Sequence, residues 1–301
     1  MDADIPTTNG HVNVVPPTWA RSRRIAFYGV IGLLLLGAGV AFWKVNLFWI
    51  LAWLPEDVLE RLYASQLEFD MVPGSFAPHI VHYLALSASQ VVVLLGLAVQ
   101  LRRPWTKVAP IWQAAGSLFV SVITLPFVLV SVGPSQIPPP VLAVIALAIA
   151  AGLLHPGNPL RNPPKPVDRL MSGLWAIAAI PAVLLTVSQI QLELRGSPAD
   201  PHWVGLHYNF MAEFGLHVVL VGLLGASALS GWRVSAWSVS FMVAVLGIGY
   251  VAYPDLPGSN GPGWGLAMIG WAGLFIVAAE VRNRRRQLST IGYSPSTQPT
   301  A

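Results

Sequence analysis

Three polar residues, Asn209, Glu213 and His217, lie four positions apart in a segment that is otherwise almost entirely apolar. Residues spaced by four share one face of a helix, so these side chains would form a single polar stripe. Apolar residues continue to about Ala228, and a helix rises roughly 1.5 Å per residue. Glu213 and His217 would therefore lie in the middle third of a bilayer. Ionisable groups at that depth indicate a proton, metal or substrate site, or hydrogen bonds that join packed helices.

Histidines cluster where two apolar segments begin. His202 and His207 precede Glu213 closely, while His79 and His82 lie at the start of an earlier segment. Imidazole binds zinc, copper, iron and haem, and it is also stable as an amphipathic ring at a membrane interface. The candidate metal or haem ligands are His79, His82, His202, His207 and His217. The candidate cofactors are haem or a copper or zinc ion, and the catalytic residues remain unknown.

The composition is that of an all-α integral membrane protein. Only 10% of the residues are charged and 54% are hydrophobic, whereas soluble domains carry about 25% charged residues. Without cysteine, the chain cannot hold an iron–sulfur cluster or a covalently attached haem c. It also lacks a glycine-rich phosphate-binding motif, and its basic residues lie at helix ends, so neither nucleotide nor nucleic acid is expected as a partner. The expected partners are the lipid bilayer and other membrane proteins.

Apolar runs near the roughly 20 residues that cross a bilayer predict eight transmembrane helices. They are expected at about 25–43, 79–101, 108–131, 138–154, 170–190, 204–229, 234–253 and 262–281. Segment 55–67 begins with proline and acidic residues and has apolar residues at helical spacing, which predicts a short interfacial amphipathic helix. Residues 1–24 and 287–301 are polar and predict disordered cytoplasmic tails.

A shift of 125 residues aligns the chain with itself. Gln66-Leu67-Glu68 matches Gln191-Leu192-Glu193, His82-Tyr83 matches His207-Tyr208, and Trp112 matches Trp237. These ordered matches predict two four-helix units, residues 25–160 and 161–286. Because each unit has an even number of helices, the two repeats would be parallel and related by an axis along the membrane normal. Ala88 and Val92 stand where the second unit has Glu213 and His217, so only the second unit carries the acid–base pair.

The distribution of basic residues predicts the topology. With eight spans and a cytoplasmic N-terminus, fourteen of the 17 lysines and arginines lie on the cytoplasmic side, as the positive-inside rule requires. Lys44, Arg61 and Arg195 lie outside. His79, His82, His202 and His207 and most of the acidic residues then lie on the outer side. We therefore expect a multi-pass protein of the plasma membrane with both termini in the cytoplasm.

Eight spans in two four-helix halves, with His82 and His207 paired at the outer side, broadly resemble the architecture of haem A synthase. In that family each half presents histidines on its second and fourth helices. The fourth and eighth predicted helices of this chain contain no histidine, and that family's motifs are not visible, so no functional residue is carried over.

Three functional hypotheses follow. In the first, an outward-facing His/Glu site binds a metal or haem for redox chemistry or metal handling. His82, His207 and His217 are then the ligands, and Glu213 accepts a hydrogen bond from an imidazole. In the second, the chain is a cofactor-free transporter or translocation component, in which Glu213 and His217 exchange a proton or bind a polar head group. In the third, it is a structural subunit of a membrane complex. Under each hypothesis, we expect Glu213 and His217 to face the second, fifth or seventh predicted helix, or a water-filled cavity.

Overall fold

The computed structural model describes residues 20–52, 80–132, 140–157, 168–196 and 207–292, and within these ranges it is helical and has no strand. The α-helices are α1 (Arg21–Ala52), α2 (Ile80–Ala98), α3 (Val108–Val132), α4 (Pro140–Leu154), α5 (Arg169–Arg195), α6 (His207–Ala226), α7 (Trp232–Ala252) and α8 (Gly261–Gly292). Two short 3-10 helices, Val99–Leu101 and Pro104–Thr106, connect α2 to α3. His79, His202 and the predicted interfacial helix at 55–67 lie outside the described residues.

Within the described residues, six helices are long and apolar enough to cross a membrane: α1, α2, α5, α6, α7 and α8. The apolar stretches of α3 and α4 are shorter, at Val108–Thr124 and Ala143–Leu154. The chain is therefore a multi-pass membrane protein. Of the candidate span in α6, 67% is buried inside the protein, whereas the figure for α5 is 17%. Since ionisable groups avoid lipid, the buried helix α6 is the one suited to carry Glu213 and His217.

Two helices extend into segments that were expected to be tails. Helix α1 begins at Arg21 rather than at residue 25, and α8 continues to Gly292, six residues into the predicted tail at 287–301. Arginine, glutamine and leucine favour helices, and after Pro262 in its first turn α8 meets no further proline before Pro295. A helix can therefore continue into water past the end of the apolar segment.

Four helices, α2, α3, α6 and α7, form the centre of the bundle. Helices α1 and α4 pack on the α2–α3 side, where Phe27, Ile31 and Ile111 are buried together. Helices α5 and α8 pack on the α6–α7 side. Small residues allow the closest approaches. A Cβ atom on Gly225 of α6 would lie 2.8 Å from the Cα of Ala236 in α7.

Buried polar side chains join the central helices. Gln113 of α3 donates from Nε2 to the Val92 carbonyl in α2 at 2.7 Å and to Ser238 Oγ in α7 at 3.0 Å. Because a buried amide without partners is costly, these two bonds fix three central helices relative to one another.

The C-terminal end of α6 is closed by an arginine from α8. Arg282 is 5% exposed, and its guanidinium donates to the Ala226 carbonyl at 3.1 Å and to the Ser227 carbonyl at 2.8 Å. Its Cζ lies 4.2 Å from the centre of the Trp232 ring. The last carbonyls of a helix lack partners within the helix, so a cation from a neighbouring helix satisfies them here.

A buried histidine lies at the C-terminal end of α4. His155 follows α4 and is fully buried; its Nε2 lies 3.2 Å from Gln100 Oε1, and its Nδ1 accepts from the Gly157 amide at 3.1 Å. Burial lowers the pKa of His155 to about 4, and the nearby charge of Arg23 acts in the same direction. An unprotonated Nδ1 is what the bond from Gly157 requires, so this histidine is a structural hydrogen-bonding group.

Candidate functional site

The carboxylate of Glu213 lies between α6 and α3. Oε1 accepts hydrogen bonds from Thr124 Oγ1 at 2.9 Å and from Asn209 Nδ2 at 3.0 Å. Oε2 accepts one from Ser121 Oγ at 3.2 Å. Asn209 lies one turn before Glu213 on α6, while Ser121 and Thr124 lie about one turn apart on α3. Two facing helix surfaces therefore hold one carboxylate.

All three donors to Glu213 are uncharged. Within the described part of the chain, no basic side chain forms an ion pair with Glu213. Thr124 is buried, Glu213 is partly buried and Ser121 is exposed. The carboxylate thus has a buried neighbour in Thr124 and, in Ser121, a neighbour at the outer surface of the helix bundle.

His217 lies one turn deeper on the same side of α6. It is 3% exposed, and its Nε2 lies 3.3 Å from the Ser117 carbonyl oxygen of α3. A carbonyl can only accept, so Nε2 carries a hydrogen in this arrangement. The side chains of Glu213 and His217 therefore both hydrogen-bond to α3, and none of these bonds joins the two side chains directly.

The polar stripe faces a different neighbour from the one predicted. Glu213 and His217 hydrogen-bond to α3, whereas the second, fifth or seventh predicted helix, or a water-filled cavity, was expected. A spacing of four residues defines a helix face but not the helix that packs against it. The partners on α3 were missed, although Ser117, Ser121 and Thr124 follow a spacing of four and three that also indicates one face.

A proline interrupts α3 next to the site. Pro126 lies two residues after Thr124 within α3. Because proline has no amide hydrogen, the carbonyl four residues earlier, at Val122, loses its bond within the helix. The turn of α3 whose side chains bind Glu213 thus lacks one backbone hydrogen bond.

Two of the candidate histidines meet at the start of α2 and α6. The rings of His82 and His207 lie 5.2 Å apart between centroids, and the Tyr83 ring lies 5.5 Å from His207. His82 also packs against Gly258, which has a φ of 83°; a Cβ there would lie 2.7 Å from the imidazole. Glycine at this position therefore allows both the left-handed turn and the close approach of the ring.

The three-histidine ligand set is not assembled. His217 lies ten residues after His207, roughly 15 Å further along α6, and it faces α3 rather than His82. Among the residues that the structure describes, no three histidine, aspartate or glutamate side chains are close enough together to hold a metal ion. The described residues therefore do not bring His82, His207 and His217 to one point, because a common helix does not place distant turns together.

Comparison with protein-family models, with curated proteins and with solved structures found no match for this chain. The functional argument consequently depends on the geometry of the site.

Proposed function

We propose that this protein is a membrane transport or translocation component, and that Glu213 is its exchangeable proton or monovalent-cation site. The observation that carries the proposal is a carboxylate with three uncharged donors and, within the described residues, no basic partner. A structural carboxylate in a membrane is normally balanced by a cation, whereas an unbalanced one marks an ion or proton pathway. Hydroxyl and carboxylate oxygens are also suitable ligands for a hard cation such as Na⁺.

The hydrogen-bonding groups around Glu213 suit both protonation states. Oε1 has two donors, one of which, the Asn209 amide, cannot accept. Oε2 has only Ser121, whose hydroxyl can donate to a carboxylate or accept from a carboxylic acid. A proton would therefore reside on Oε2, and only the Ser121 hydroxyl needs to rotate. Exchange then requires no rearrangement of the helices.

The position of Pro126 adds a means of coupling. Loading or unloading Glu213 reverses its hydrogen bond with Ser121, which lies, like Thr124, in the turn of α3 that precedes Pro126. Proline kinks in membrane helices are tolerated, and neighbouring groups compensate the free carbonyl. We therefore place the moving element in the outer part of α3, beyond Thr124.

Carbodiimide labelling tests the exchange site. Dicyclohexylcarbodiimide reacts with a protonated carboxylic acid in an apolar setting to give a stable N-acylurea. We expect peptide mass spectrometry of the treated protein to find the adduct on Glu213, with a labelling rate that falls as the pH rises. Slower labelling on addition of Na⁺ at constant pH would identify a cation site, and an unchanged rate would identify a proton site.

Glu280 provides the matched control. It is paired with Arg233 at 2.6 Å and also accepts from Trp237 Nε1 at 2.8 Å. Because the adjacent guanidinium favours the charged carboxylate over the protonated acid, Glu280 should react little. The Glu213→Gln variant should lose the adduct. An unlabelled Glu213, or equal labelling of both glutamates, would reject the exchange role and leave packing between α3 and α6.

A metal-handling or redox function is a second candidate, favoured by the contact between His82 and His207. Two imidazoles do not complete a zinc or copper site, so either ion would need ligands outside the described residues, of which His79 and His202 are the candidates. Stoichiometric copper, zinc or iron, or a Soret band, in the purified protein would favour this function over the first. The absence of all four signals would eliminate it.

We also propose eight spans in two parallel four-helix repeats, with both termini cytoplasmic and the plasma membrane as location. Residues related by a twofold axis contact each other where they lie near that axis. Two pairs that are 125 residues apart do so: His82 with His207, and Gln113 with Ser238. In this arrangement α3 and α4 are the third and fourth spans, and α7 and α8 are their counterparts.

Reporter fusions test the proposed topology. A reporter fused after Leu160 should read as cytoplasmic and one fused after Ser259 as external, because fourteen of the 17 basic residues then lie inside. If only one of α3 and α4 spans the bilayer while the N-terminus stays cytoplasmic, the two readings would be exchanged, with Leu160 external and Ser259 cytoplasmic. That result would remove the eight-span arrangement and the repeat together.

A further inference from the structure

A cleft opens between α5 and α8 on the side of α6 away from Glu213. Its volume is about 650 Å³, and α6 and α7 form its back wall. Trp271 of α8 closes one end. Its Nε1 donates to the Leu174 carbonyl of α5 at 2.8 Å, and its ring stacks on that of Phe275 with 4.9 Å between the ring centroids. Small-molecule sites in proteins have volumes of roughly 300–1,000 Å³, so this cleft can hold one molecule of that size.

The cleft has an apolar body and a polar end. The apolar walls include Ile177, Ala178, Leu185, Phe214, Val218 and Leu246. The polar groups lie at the end opposite Trp271, near the C-terminal ends of α5 and α7, and are Ser188, Gln189, Tyr250, Ser259 and Asn260. None of its lining residues is an aspartate, glutamate, lysine, arginine or histidine. The lining therefore suits an uncharged amphiphile and offers a charged head group no counter-ion.

Two groups at the polar end are available to a ligand. Gln189 Oε1 is buried and, among the described residues, has no hydrogen-bond partner. Tyr250 Oη accepts from Asn260 Nδ2 at 3.2 Å, which leaves its own hydrogen free to be donated. A buried amide oxygen without a donor is rare in native proteins and calls for an explanation. A ligand hydroxyl that donates to Gln189 and accepts from Tyr250 would satisfy both groups.

We propose that this cleft binds one uncharged amphiphile, a hydrocarbon chain with a hydroxyl-bearing head group. The chain lies along the apolar wall towards Trp271, and the hydroxyl lies between Gln189 and Tyr250. An acylglycerol or an isoprenoid alcohol has this chemistry. The proposal is independent of the exchange role of Glu213, because Phe214 and Val218 line the cleft while Glu213 faces α3.

Native mass spectrometry of the purified full-length chain, titrated with 1-monooleoylglycerol, tests the proposal. We expect saturable retention of one molecule. Geranylgeraniol in parallel distinguishes an isoprenoid from an acyl source, and binding of either one supports the site. Oleate, which has a similar chain and an anionic head, should be retained at least about tenfold more weakly because the lining provides no cation. Absent or non-saturable retention of both neutral probes, or a preference for oleate, would overturn the proposal.

Two variants locate the binding. Ala178→Phe fills the cleft and should weaken binding at least about tenfold, while Ala146→Phe, the same change on an exposed position of α4, should leave it within roughly twofold. Gln189→Leu removes the proposed acceptor and should weaken binding of 1-monooleoylglycerol about fivefold. This variant stays informative even if Ala178→Phe does not fold. Unchanged binding in folded Ala178→Phe or in Gln189→Leu would place the amphiphile elsewhere and overturn the assignment.

Discussion

Replacing Arg282 with methionine is expected to lower the free energy of unfolding by about 3 kcal/mol, a large loss for a single substitution. The guanidinium donates to carbonyls at the end of α6 and lies over the Trp232 ring. Methionine fills similar space but donates no hydrogen bond, so buried carbonyls lose their partners at about 1–3 kcal/mol each. Part of this loss is recovered because a buried charge is removed as well. Unfolding in mixed SDS micelles measures the difference.

Arg285→Met is the matched control for this change. Arg285 lies on the same helix, three residues further on, but it is exposed, so its loss should alter the free energy of unfolding by less than about 0.5 kcal/mol. Equal effects of the two substitutions would mean that Arg282 contributes through general charge and not through the end of α6.

Adding one methyl group at Gly225 is expected to destabilise the protein by about 2 kcal/mol. A Cβ at this position would lie 2.8 Å from the Cα and 2.9 Å from the amide nitrogen of Ala236. Both atoms belong to the backbone of α7, so no side-chain rotation can relieve the contact, and overpacking of this kind typically costs about 1–3 kcal/mol. The same unfolding measurement on Gly225→Ala checks this prediction.

Gly273→Ala, by contrast, should not lower the free energy of unfolding. Gly273 is exposed on α8, and a Cβ there would have no neighbour within 4 Å. Alanine is the better helix former, by up to about 1 kcal/mol, so this variant should be as stable as the wild type or slightly more stable. Destabilisation of both variants to the same degree would mean that the loss at Gly225 does not come from its contact with the backbone of α7.

The positions of the helices could be predicted from sequence because apolar length and flanking proline, glycine and arginine define a membrane span. Helix α7 was expected at 234–253 and lies at Trp232–Ala252. The ends of α1 and α8 were harder to predict, because a helix continues beyond the bilayer wherever its residues favour helical backbone. Arg282 was recognised only as one of many cytoplasmic basic residues. Its position over the end of α6 depends on how α8 packs, which its own sequence does not specify.

The candidate site was predictable in part, for a related reason. The spacing of Asn209, Glu213 and His217 identified a helix face, but Ser121 and Thr124 on α3 are ordinary residues in a membrane helix and acquire meaning only beside Glu213. The cleft between α5 and α8 was not predictable from the sequence. Its walls are common apolar residues, and the space between α5 and α8 is a property of their separation rather than of any motif.

The hydrogen bonds of Gln113 have a consequence for how the protein is made. Its bond to Val92 lies within the first half of the chain, whereas its bond to Ser238 requires α7. During synthesis, residues are inserted in order from the N-terminus, so the amide has a partner long before α7 leaves the ribosome. Ser121 and Thr124 likewise enter the bilayer before Glu213. The hydroxyl donors of Glu213 are thus already in the bilayer when Glu213 is inserted, so its carboxylate can be hydrogen-bonded at once.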